Sequence, residues 1–333
     1  LGEILSKYIL LTSLLSSYVL ATNTPTNPVA APKGVITPVA PKAPNGLGIF
    51  ANADFTWWKS NVSGMSFAEV NNRILSTPSE FRPGFKIGVG LDMDFDGWDT
   101  YAEYTWFYQP WKTNSTTSNN NNNYSSFVHF NTESSSLSSL AIASASSSRK
   151  EQFNILDLEC GRNFYISRQI TLRPFFGLKL ARMLEKTKII ESQKGEDGNI
   201  KLFLSQSLSG VGGRAGINTF WHITTHFGMY GDLALTALWS RIHNHYNSYF
   251  SFNDNSSHRS NKLNTQILLP VMEIGLGIAY ETWFAQERYQ LYAKAGWEEQ
   301  VWINYNYNTP NGTVNNTGSL TLQGLTAKIG LAF

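Results

Sequence analysis

The closing stretch of the chain reads LTAKIGLAF, Leu325 to Phe333. Leu325, Ala327, Ile329, Leu331 and Phe333 alternate with Thr326, Lys328, Gly330 and Ala332. A period of two places successive side chains on opposite faces of a strand, so one face here is oily and the other small, polar or charged. A soluble barrel turns such an oily face inward, whereas a barrel in the bacterial outer membrane turns it to lipid. In the second case the terminal aromatic Phe333 is the expected signal for the barrel assembly machinery.

Working back from that end, the same alternation recurs near the start. Ile49, Ala51, Ala53, Phe55 and Trp57 oppose Asn52, Asp54 and Thr56. Phe85, Ile87, Val89, Leu91 and Met93 oppose Lys86, Gly88, Gly90 and Asp92, and Trp98, Thr100, Ala102, Tyr104, Trp106 and Tyr108 oppose Asp99, Tyr101, Glu103 and Thr105. Strands rising about 3.3 Å per residue and tilted by about 40° would set Trp98 and Tyr108 roughly 25 Å apart along the membrane normal, the spacing of two aromatic girdles.

The N-terminus points to export. Lys7 precedes an apolar run from Tyr8 to Leu20, and Val19-Leu20-Ala21 supplies small residues for cleavage, so residues 1–21 read as a signal peptide. The first residue is Leu1, which suggests a truncated start or an unusual initiation codon. Residues 22–47 are rich in Pro and Ala and read as an extended periplasmic linker. Beyond Ala21 no apolar stretch reaches the roughly 18 residues of a membrane helix, so only a barrel could cross the bilayer.

Composition narrows the function. Aromatic residues make up 14% and charged residues only 15%, as expected when one face meets lipid. A net charge of +2 provides no concentrated basic face for nucleic acid. The single Cys160 forbids an intramolecular disulfide.

The pattern from residue 48 to 333 predicts an all-β fold, an antiparallel transmembrane β-barrel of ten strands. Twelve are allowed if the Gly-rich stretch 199–221 holds two. The predicted strands after the first three are 150–161, 169–189, 199–221, 227–242, 263–282, 288–304 and 319–333. Short connections alternate with long ones at 60–81, 109–149, 190–198, 243–262 and 305–318. Short periplasmic turns, long external loops and periplasmic termini are the outer-membrane topology.

The strings ADFTWWK (53–59), FRPGFKIGVGL (81–91), DGWDTYAEYTWF (96–107) and GLTAKIGLAF (324–333) resemble the Legionella-type major outer membrane protein family, which includes relatives in environmental chlamydiae. The resemblance implies a secreted, pore-forming barrel and transfers no catalytic residue. It also implies envelope crosslinking in cysteine-rich relatives, from which the single Cys160 departs.

Parity assigns Asp54, Lys86, Asp92, Asp99, Glu103, Asp157, Glu159, Arg173, Lys179, Arg214, Asp232, Glu273, Lys294, Glu298 and Lys328 to the lumen. So many ionisable groups demand water or pairing. The expected function is therefore passive diffusion of small hydrophilic solutes through a water-filled lumen, with carboxylates favouring cations. The competing reading is a narrow barrel filled by its own side chains, acting as an adhesin or scaffold through its loops. The expected partners are outer-membrane lipid, the solutes and the assembly machinery; homo-oligomerisation stays open. Neither cofactor, metal nor enzymatic activity is expected. Asp92, Asp94, Asp96, Gly97 and Glu103 match a calcium-loop spacing, but continuous strand alternation through both flanks makes a polar hairpin the better reading. His243 and His245 lie in an Asn- and Ser-rich setting that reads as loop, and the six histidines have no nucleophile motif beside them.

Overall fold

The computed structural model describes residues 47–70, 73–93, 96–117, 124–126, 142–193, 198–252, 255–285, 289–306 and 318–333. The expected signal peptide, and the linker up to residue 46, lie outside these. The strands are β1 (Leu47–Val62), β2 (Ser66–Val70), β3 (Arg73–Ser76), β4 (Phe81–Met93), β5 (Trp98–Thr117), β6 (Tyr124–Ser126) and β7 (Ile142–Arg162). They continue as β8 (Phe164–Tyr165), β9 (Ile170–Gln193), β10 (Asn199–His222), β11 (Phe227–Phe252), β12 (Asn255–Phe284), β13 (Tyr289–Asn306) and β14 (Gly318–Ala332).

Ten of these close a barrel in the order β1, β4, β5, β7, β9, β10, β11, β12, β13, β14, with β14 returning antiparallel to β1. The Gly-rich stretch is one strand, β10, paired along its length with both β9 and β11, which settles the count at ten. Two-residue β8 is an extra strand on β9, and β2, β3 and β6 form a separate three-stranded sheet. Among the described residues no helix is long and apolar enough to cross a membrane.

The register fixes the barrel's size. Following paired residues from Ser60 leads through Leu322, Gln300, Glu273, Ala234 and Gly216, then Phe175, Gly161, Asp99 and Asp92, to Gly48. The circuit returns to β1 displaced by twelve residues, from Ser60 to Gly48. For ten strands at ordinary sheet spacing this sets a tilt of about 40° and a backbone radius of about 10 Å. Inward side chains reach well towards the axis of so narrow a barrel, so their identity decides whether it is open.

The alternation changes phase along β10 and β11, whereas β4 keeps Phe81, Phe85, Ile87, Val89 and Leu91 outward throughout. On β10 the outward residues from Val211 to Trp221 include Ala215 and Ile217, and the inward ones Arg214 and Asn218. Ten residues at this tilt span about 25 Å, the height of a lipid-facing apolar band. On β12 the outward band includes Leu276 at 61% and Ile278 at 62% exposure. Past Val211, towards the long connections, the outward residues of β10 are Ser209, Ser207, Ser205, Phe203 and Lys201, mostly polar, while Leu208, Leu204 and Leu202 are buried. On β11, likewise, Arg241, His243 and His245 are exposed and Leu238, Ile242 and Tyr246 buried. Along β10 and β11 one half of the barrel wall thus has the polarity of a membrane protein and the other that of a soluble one.

This inversion corrects two expectations. Stretch 243–262, read as a loop, is strand at 243–252 and 255–262, and 190–193 of the expected loop 190–198 belong to β9, because these strands continue as sheet beyond the apolar band. The expectation of a hydrophilic interior throughout fails in the long-connection half, where the inward side chains build one apolar cluster containing Trp58, Phe107, Phe153, Met183, Leu208, Leu238 and Trp302. Met65, Phe67 and Ala68 of the segment after β1 belong to the same cluster, with Phe67 at 0% exposure. That segment is anchored by Ser79 Oγ donating to Ser60 O and Gln109 Nε2 donating to Pro78 O at 3.4 Å. It forms a stopper across the interior.

At the other end, Asp96 (φ 54°) and Gly97 (φ 73°) make the left-handed turn leading into β5. Inside the wall, Gly277 pairs with Gly296, and a Cβ on Gly277 would overlap Ala295 O and Gly296 Cα. Backbone cannot yield there without breaking the β12–β13 ladder. Gly277→Val is therefore expected to lower the folded fraction sharply, scored by the electrophoretic shift between unheated and heated protein. Gly213→Ala, where an added Cβ meets nothing within 4 Å, should leave that shift unchanged.

Candidate functional site: a charged vestibule and its stopper

A cavity of about 1180 Å³ enters the barrel from the short-turn end. Its mouth is edged by Ser167, Thr224, Ala285 and Phe333, and it runs inward to Lys86, Asp157, Glu273 and Gln300. Thirteen of the fifteen residues assigned by parity line it: Lys86, Asp92, Asp99, Glu103, Asp157, Glu159, Arg173, Arg214, Asp232, Glu273, Lys294, Glu298 and Lys328. Asp54 and Lys179 lie against it, each ion-paired to a lining residue.

Most of these charges are brought together in pairs. On one side Lys86 Nζ lies 2.7 Å from Glu298 Oε2 and 3.6 Å from Glu103 Oε1, linking β4 with β13 and β5. Lys328 Nζ stands 3.3 Å from both Glu103 Oε2 and Asp54 Oδ2. The Tyr101 hydroxyl, 2.6 Å from Glu103 Oε2 and 2.8 Å from Asn52 Oδ1, and Asn52 Nδ2, donating to Asp54 at 2.7 Å, complete this group.

On the facing side Lys179 Nζ lies 2.7 Å from Asp157 Oδ1 and 2.9 Å from Glu273 Oε1. Arg214 Nη1 donates to the same Glu273 oxygen at 2.6 Å, and its Nε reaches Glu159 at 3.3 Å. Arg173 joins Glu159 at 3.0 Å to Asp99 at 2.5 Å, and donates to Asn218 at 2.7 Å, which in turn donates to Asp232. Pairing at this density offsets much of the desolvation cost of interior charge. Lys294 is the exception: its Nζ sits over the rings of Phe220, Tyr230 and Tyr292 at 5.4–5.8 Å.

Farther along the interior than the ion pairs lies the stopper, none of whose described residues line the cavity. There Arg149, at 1% exposure, is paired with Glu151 and lies 3.6 Å from Glu185, and its Nη2 donates to Ser60 Oγ at 3.1 Å. Neither this buried group nor Met65 and Phe67 stood out in the sequence reading. The available signal was Met65-Ser66-Phe67-Ala68, an apolar run inside a connection otherwise expected to be solvated.

Asp96 of the calcium-like spacing is engaged by Arg162, and Asp94 lies outside the described residues. Among the described residues no cluster of His, Cys, Asp or Glu could hold a metal. His243 pairs with Asn264 at 2.7 Å and His245 with Ser260 at 3.2 Å, both on exposed strand rather than loop. Cys160, half-buried on β7, is a free thiol.

The model of the family described as Legionella pneumophila major outer membrane protein precursor matches residues 47–333. No curated protein matches the sequence. Among solved structures, the outer membrane protease OmpT from Escherichia coli is similar at 10% identity and TM-score 0.44, covering 86% of this chain and 96% of that one. A major outer membrane protein from Thermus thermophilus is similar at 11% identity and TM-score 0.34 over 70% and 98% of the two chains. A Pseudomonas aeruginosa FadL homologue follows at 6% identity and TM-score 0.26 over 87% and 90%.

Proposed function

From the premise that this chain belongs to the Legionella major outer membrane protein family, a bacterial outer-membrane β-barrel, we propose that it is a porin-type channel for small hydrophilic solutes, closed in the conformation described. The observation that carries this is the charged vestibule of about 1180 Å³, which enters the barrel from the end where Phe333 and the short turns gather. We place that end in the periplasm, in keeping with outer-membrane topology. A barrel serving only as a scaffold has no need of a polar cavity of this depth.

The stopper limits conduction. Withdrawing two large apolar side chains, Met65 and Phe67, from a dry cluster costs about 1.5–3 kcal/mol each. The open form is then on the order of a hundredfold to ten-thousandfold rarer than the closed one.

In planar bilayers the wild-type protein should show rare, brief openings. Replacing Met65–Ser76 by a short Gly/Ser turn should give frequent discrete steps. A filled barrel acting as scaffold is the second reading, favoured by the cross-lumen pairing of Lys86 with Glu298. It predicts no conductance from either protein, and that result would remove the channel proposal.

A further inference from the structure

The outer wall carries a basic field bordering the apolar band. Leu156, Leu180, Val211, Trp239 and Leu268 are register partners in turn across β7, β9, β10, β11 and β12, and form the last apolar row. One pleat beyond, Arg182, Ser209, Arg241 and Gln266 are partners in the same way. Two pleats further, Lys150, Lys186, Ser205, His245 and Lys262 form another row, and Lys188 follows on β9.

Among the described residues of this face no carboxylate answers these cations. The acidic residues of the same half of β7 and β9, Glu151, Glu185 and Glu191, are buried at 0–2% exposure. Among the described residues of β10 to β12 in that half there is no Asp or Glu. Lys150 and Lys186 are direct cross-strand partners, an arrangement that destabilises a sheet unless an anion intervenes. Lys150 Nζ rests 5.5 Å over the Tyr108 ring and Lys188 Nζ 5.6 Å over that of Phe203, so aromatic faces hold them. On β4 and β5, by contrast, Arg82 and Lys112 both pair with Glu80, at 2.8 and 2.5 Å.

We infer that this field is a binding site for a multiply phosphorylated acyl lipid of the lipid A type, with acyl chains along the apolar rows and phosphates between Arg182, Lys186 and Arg241. The field covers five strands, roughly 19 Å at about 4.8 Å per strand. That is too wide for the single phosphate of an ordinary phospholipid, and its confinement to one side distinguishes a site from a general lipid annulus. Ser205 and Ser209, between the cations, add small hydroxyl donors. The inference rests on membership of an outer-membrane family and stands whether or not the barrel conducts.

The test is binding of fluorescent bisphosphorylated lipid A to the detergent-purified full chain. The wild type should bind it in preference to its dephosphorylated form and to phosphatidylglycerol. With each surface cation worth about fivefold, the triple variant Arg182→Gln/Lys186→Gln/Arg241→Gln should bind about a hundredfold more weakly. Arg82→Gln/Lys112→Gln, on the matched side, should bind as wild type. Heat-modifiable mobility confirms that both variants fold. Equal binding of the dephosphorylated lipid, equal binding of phosphatidylglycerol, or undiminished binding by the folded triple variant would each overturn the inference.

Discussion

Lys179→Met is expected to destabilise the barrel by about 3–5 kcal/mol, the cost of removing one partner from a buried charge group. Lys179 is at 0% exposure, and its ammonium bridges Asp157 and Glu273 from the wall between them. With it gone, two carboxylates share Arg214 alone and repel each other at the inner end of the vestibule. Urea unfolding in detergent micelles, followed by tryptophan fluorescence, should show a large fall in midpoint. Removing both signs together, as Lys179→Met with Asp157→Leu, should restore part of the loss, because a buried pair replaced by apolar groups is often near neutral. An unchanged midpoint in the single variant would mean that lumen water solvates these groups freely, and the paired interior would then not be a structural element at all.

That distinction marks where sequence reading succeeds and where it stops. Period-two alternation is a local property, so the outward residues Phe55, Phe85, Ile87 and Ile329 and the inward Asp54, Lys86 and Lys328 could be assigned from a few neighbours each. All ten strands of the barrel were visible in this way. Their lengths were not, because the reading followed apolar residues on the outward face. That face turns polar at Ser209 on β10 and Arg241 on β11 while the strands run on. The signal for continuation lay on the opposite parity, in Leu208, Leu204 and Leu202, which a lipid-facing template counts as lumen positions.

The site was legible in membership but not in partnership. Charge and parity placed Lys86 and Glu298 inside, yet they lie 212 residues apart and meet at 2.7 Å only because the barrel closes through β14 and β1. The stopper was illegible for another reason. A connection that folds into a barrel instead of away from it depends on the apolar interior it meets, and that interior was invisible while the phase change went unread. The same omission explains why a water-filled passage was expected end to end.

The phase change also governs the largest functional effect expected of a single substitution, Phe67→Asp. Phe67 is fully buried among inward side chains that include Phe107 and Phe153. An aspartate there forfeits about 1.5–3 kcal/mol of apolar burial and adds a buried charge with no cation assigned to it, a penalty of several kcal/mol more. The closed form should weaken by at least about 4 kcal/mol, and open probability in planar bilayers should rise by up to about a thousandfold, saturating once the open form predominates. Phe67→Leu keeps the apolar contact and loses little, so its openings should stay rare. The barrel wall is the same in both, and the pair therefore separates stopper from scaffold. If Phe67→Asp folds, inserts and remains silent, the paired charges below the stopper are themselves the seal, and the channel reading fails with them.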